Sequence, residues 1–101
     1  MSYETIDTIL KEWAARHGLQ LYTRYQDTDV RTVFLEGTGR ERGQVWVDPP
    51  GADGRIAVHA AVYRKRGRDN EKAELSAIVN DLESVLETAY AKVVAWLAGN
   101  T

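Results

Sequence analysis

The side chains best suited to acid–base or metal chemistry in this sequence are its two histidines, His17 and His59. No HxxxH or HExxH spacing joins either one to a second ligand, and the chain has no cysteine to supply a thiolate. A metal site would therefore need carboxylates converging from elsewhere in the chain. His17 falls at the end of a predicted helix, where an imidazolium interacts favourably with the helix dipole. His59 falls inside a predicted strand and would move protons only if folding brought an acid and a pocket to it. Ser76 and Ser84 belong to neither a nucleophile elbow nor a serine–lysine motif. With Glu74, Asp81, Glu83 and Glu87 they are read as the solvated side of a final helix. Gly37, Gly39 and Gly43 lack the strand-before, helix-after context and the spacing of a phosphate loop, and read as a hairpin connection. These residues point to a non-enzymatic protein without metal or cofactor.

Charge is more informative than any motif. The formal net charge is −2, but it is unevenly spread. Residues 1–18 sum to −1, residues 19–68 carry nine basic against six acidic side chains, and residues 69–101 carry two against six. The middle of the chain is thus mildly basic and its last third acidic, with a cationic run, Arg64-Lys65-Arg66-Gly67-Arg68, at the junction. Strand alternation gathers Tyr22, Arg24, Trp46, His59, Tyr63 and Lys65 on one face, with Arg64, Arg66 and Arg68 beside them. Aromatics interleaved with cations on an open sheet can stack bases and hold phosphates, so single-stranded nucleic acid is one ligand class for this face. An acidic protein segment is another.

At 101 residues, 44% hydrophobic and 28% charged, the chain has the size and composition of a single globular domain. No run approaches the roughly 18 apolar residues of a membrane span, and Met1-Ser2-Tyr3-Glu4 does not begin a secretory signal. With no cysteine to oxidise, the expected compartment is the cytoplasm.

The elements that must position these residues follow from periodicity. Ile6, Ile9, Leu10, Trp13 and Ala14 recur at three- and four-residue intervals, which predicts a short helix from Ile6 to His17, capped by Ser2 and ended by Gly18 with Leu19 folding back. Leu19 to Gln26 alternates as a half-buried strand. Val30 to Glu36 is a second strand whose facing is ambiguous because both alternation sets are apolar. Gln44 to Asp48 and Arg55 to Arg64 complete the strands, separated by the turn-forming stretch Pro49 to Gly54. Leu75, Val79, Leu82, Leu86, Ala89, Val93 and Trp96 follow intervals of four and three, which predicts one long helix from about Asp69 to Ala98. The expected order is α-β-β-β-β-α: an α+β domain with a four-stranded antiparallel meander and both helices on one face.

A helix from Asp69 to Ala98 would be about 45 Å long, more than strands of this length can cover. Its apolar arc, widened by Tyr90, Val94 and Leu97, is broader than one sheet needs. Val79, Leu86, Tyr90, Val93, Val94, Trp96 and Leu97 are therefore the expected contacts for a protein partner or for a twofold homodimer.

The opening helix ending in Gly18-Leu19, the meander, and the closing helix through Leu82, Leu86, Tyr90 and Trp96 resemble the small acidic chaperones of bacterial type III secretion. That family has a further helix in mid-chain and five strands, where this chain reads as four strands without it. The resemblance implies a homodimer that binds an extended segment of another protein along apolar patches, without catalysis.

Overall fold

The computed structural model describes residues 3–23, 30–37, 42–63 and 71–98. After a 3-10 turn at Tyr3–Thr5 come α1 (Asp7–Arg16), β1 (Arg31–Glu36), β2 (Arg42–Val47), β3 (Ile56–Tyr63) and β4 (Glu71–Ala77). A second 3-10 turn, Val79–Asp81, leads into α2 (Leu82–Leu97). The four strands form one antiparallel meander in the order β1-β2-β3-β4. Both helices lie on one face, so the architecture is the α+β arrangement expected from the sequence.

Helix α1 ends as its sequence dictates. Gly18 takes φ +65, open to glycine without steric cost, and Leu19 N–H reaches back 2.8 Å to the Ala14 carbonyl. Leu19 packs against the core behind it. At the other end no side chain caps α1, and Ser2 lies outside the described residues. The N-terminal turn is held instead by Tyr3, whose hydroxyl donates to the Val47 carbonyl at 2.8 Å, and by a two-pronged ion pair between Arg31 and Asp7.

Two boundaries differ from the sequence reading. The stretch from Leu19 is not a sheet strand: within the described part of Leu19 to Gln26, only Tyr22 pairs with a strand, in an isolated bridge to Thr32. Leu19 and Leu21 turn onto the core instead of continuing the ladder. The long helix is also shorter than expected, because residues 71–77 form β4, antiparallel to β3 with Ala77 opposite Ile56 and Glu71 opposite Val62. Glu74 and Ser76 are thus strand residues. At 16 residues α2 spans about 24 Å, a match for the roughly 26 Å of the eight-residue β3, so the expected overhang does not arise.

The core lies between the sheet and α2. Val33, Val45, Val47, Ile56, Val58 and Val62 point at Leu82, Leu86, Ala89 and Val93, all buried. Gly43, read from sequence as part of the β1–β2 connection, lies within β2 directly beneath the helix. A Cβ there would collide with Val93 and come within 3.2 Å of Leu97, so the absent side chain is what lets α2 approach. The width of the helix's apolar arc is explained by α1 on its flank. Tyr90 stacks on His17 at 4.0 Å and meets Trp13 edge-on at 6.3 Å, while Glu83 and Glu87 reach Arg16 and His17. One helix of intermediate length therefore serves two partners inside its own chain.

Candidate functional site

The sheet surface facing away from the helices is assembled from alternate residues of each strand. Thr32, Phe34 and Glu36 of β1 register with Trp46, Gln44 and Arg42 of β2, which register in turn with His59, Ala61 and Tyr63 of β3. The polar pair at the centre is buried: Gln44 Nε2 donates to Thr32 Oγ1 at 2.9 Å, and Thr32 Oγ1 donates to the Val45 carbonyl at 3.3 Å. Around it stand two ring clusters. Trp46 and His59 are stacked with centroids 4.7 Å apart and planes inclined by 7°, and His59 Nε2 donates to Asp48 Oδ2 at 2.8 Å. Tyr22 meets Phe34 edge-on at 5.8 Å, and the Arg42 guanidinium sits 4.6 Å above the Phe34 ring. Tyr63 is exposed on the same face.

The structure places Trp46, His59 and Tyr63 on this surface by strand alternation, and Tyr22 beside them through its bridge to Thr32 and its contact with Phe34. Arg24, Arg64, Lys65, Arg66 and Arg68 lie outside the described residues. The described charges on this face are Arg42 and Lys72 against Glu36, Asp48 and Glu74, so within them anions outnumber cations. His59 has acquired an acid, Asp48, that spacing gave no reason to choose; the pair spans the β2–β3 turn and depends on β3 register. Among the described residues, no group of three His, Asp or Glu side chains is placed to hold a metal ion.

The residues assigned from the helix pattern divide differently. Leu86 and Val93 have no exposure at all: they are core contacts of α2 with the sheet and cannot meet a partner in the folded chain. Tyr90, Trp96 and Leu97 are half-buried, while Val79 and Val94 are exposed by 39% and 42%. Tyr90, Val94 and Leu97 converge on an open groove of about 470 Å³, whose other wall is Leu19, Phe34 and Leu35, with Gln20 and Glu36 at its polar margin. This groove lies between β1 and the chain leaving Gly18, before that chain meets β1 at the Tyr22–Thr32 bridge. Leu19, Phe34 and Leu35 were not legible as site residues: both alternation sets of β1 are apolar, which left its facing open between a strand covered on both faces and one lining a subunit interface.

One ionisable group with a distinct shift, Asp7, lies at the N-terminal margin of the core. The hydrogen bonds from Arg31 hold the Asp7 carboxyl below the usual carboxylate range, against the opposing effect of partial burial. Among the described residues, no helix is long and apolar enough to cross a membrane. Comparison with protein-family models, curated proteins and solved structures finds no match for the chain.

Proposed function

We propose that this protein is a non-enzymatic binding module, chaperone-like or adaptor-like, that holds an extended segment of another protein in the groove between α2 and β1. The observation that carries this reading is the convergence of the apolar side chains Tyr90, Val94 and Leu97 with Leu19, Phe34 and Leu35 on one open cleft of mixed polarity. A cleft of this volume accommodates one or two large apolar side chains, while Gln20 and Glu36 can meet backbone amides at its margin. Val94 is the discriminating position because its exposure lets it change without disturbing the core. Wild-type protein immobilised on resin should retain a protein from its native cell extract, and Val94→Glu should lose it while keeping a wild-type circular dichroism spectrum. Equal capture by the two proteins would remove the groove from consideration.

A second reading, single-stranded nucleic acid on the outer sheet face, is favoured by the parallel Trp46–His59 stack and the exposed Tyr63. The anionic balance of the described residues on that face weighs against phosphate. Titration with labelled single-stranded DNA and RNA at two salt concentrations separates the readings. Binding that weakens steeply with salt and is lost in Trp46→Ala would favour nucleic acid.

A further inference from the structure

The two edges of the sheet are β1 and β4, and only β4 runs its whole length without a neighbour among the described residues. The direction of its backbone groups follows from the ladder. Asp48 N–H donates to the Ala57 carbonyl, so Ala57, His59 and Ala61 address β2, and the intervening Ile56, Val58, Ala60 and Val62 address β4. Their partners are Ala77, Leu75, Ala73 and Glu71. Lys72, Glu74 and Ser76 therefore turn their N–H and C=O groups outward, where none has a partner among the described residues. The side chains of Lys72 and Glu74 are likewise exposed, with no ion pair among the described residues.

We propose that this edge is a homodimer interface, in which β4 of a second copy adds antiparallel about a twofold axis at Ala73 to make a continuous eight-stranded sheet. Charge selects both the occupant and the register. With the axis at Ala73, Lys72 of each copy lies directly opposite Glu74 of the other, and both residues direct their backbone groups across the junction. Moving the axis to Glu74 sets two carboxylates face to face, and moving it to Leu75 leaves Lys72 and Glu74 without opposite charges; neither register is self-complementary. Charges on an edge strand commonly repel a second strand. Here one cation and one anion two residues apart make the edge complementary to itself. Ile78 and Val79, exposed by 45% and 39%, continue the same edge with apolar surface that soluble proteins usually cover.

Sedimentation equilibrium on the full chain tests this. Wild type should approach twice the 11.4 kDa chain mass at high micromolar concentration and dissociate on dilution. Lys72→Glu and Glu74→Lys should each weaken association by about tenfold or more, since each sets two like-charged pairs across the axis. An equimolar mixture of these two variants should associate again, because every cross-axis pair is then opposite in charge. Glu74→Pro should give a monomer, because the N–H it removes points outward and no ladder bond to β3 is lost. A wild-type chain that stays monomeric overturns the proposal. So does a dimer that persists unchanged in Glu74→Pro and in both charge variants, or a mixture that associates no better than its components. Should Glu74→Pro fail to fold, the mixing experiment decides alone.

Discussion

On the helix side of the sheet, Val33, Val45, Val58 and Val62 meet Leu82, Leu86 and Val93, and nearly every contact is aliphatic and fully buried. On the opposite side the same strands present Thr32 hydrogen-bonded to Gln44, Trp46 stacked on His59, and Arg42 over Phe34. The first face is held by area and close packing, which are indifferent to direction. The second is held by contacts that depend on angle and partner identity. The division explains how one small sheet can supply stability on one side while keeping ordered, partly exposed rings on the other.

The sharpest way to break this comparison is to truncate each face in turn. Leu86→Ala, at a position with no exposure between α2 and the sheet, should cost about 2–5 kcal/mol through lost transfer free energy and the cavity left behind. Denaturant titration would show it as a fall in midpoint at unchanged slope. A loss below about 1 kcal/mol would mean that α2 can collapse into the space, and that the helix face is not packed as described.

The next effect belongs to the outer face. Thr32→Val conserves volume but removes the acceptor for Gln44 Nε2, leaving a buried amide donor without its partner. The expected cost is about 1–3 kcal/mol, from desolvation of the stranded group. The double variant Thr32→Val with Gln44→Leu should recover much of it, since both polar groups are then gone. Additive losses in the two single variants would show that the pair is not coupled.

What was legible in the sequence follows the same division. Helix α1 and its glycine stop, β2, β3 and the turn between them could be read because period and turn residues agree locally. β4 could not. Glu71 to Ala77 is composed of good helix formers, and Leu75 and Val79 fall by coincidence on the four-three spacing of α2, so local propensity pointed to helix while pairing with β3 decided for strand. The alternation of Ala73, Leu75 and Ala77 against Lys72, Glu74 and Ser76 was present but weak, as befits an edge strand with little to bury. The stretch from Leu19 differs in the other direction: its alternation is real, but Leu19 and Leu21 serve the core and only Tyr22 pairs with β1. The aromatic face was visible as a set of residues, while the pairing of His59 with Asp48 and the groove beside β1 required the register and the helix position, which no spacing encodes.

The smallest effect expected is a pH dependence, and it tests whether the margin of the helix face is ionic where its centre is aliphatic. Asp7 accepts hydrogen bonds from Arg31 Nε and Nη2 at 2.8 and 3.1 Å, and the same guanidinium lies 4.1 Å from the centre of the Tyr3 ring. Because Arg31 lowers the Asp7 pKa in the folded chain, the unfolded chain binds more protons in the carboxylate range. The contribution to stability is therefore complete at neutral pH. It begins to fade as pH falls past the unfolded-state pKa of an aspartate and is gone below the depressed folded value. Melting temperatures followed from neutral to acid pH should fall for wild type more steeply than for Arg31→Met, in which the guanidinium that chiefly lowers the Asp7 pKa is absent. Since Arg31 also covers Tyr3, the variant should lose some stability at every pH; only the difference in slope reports the ion pair, and parallel curves would show that Asp7 does not couple folding to protonation.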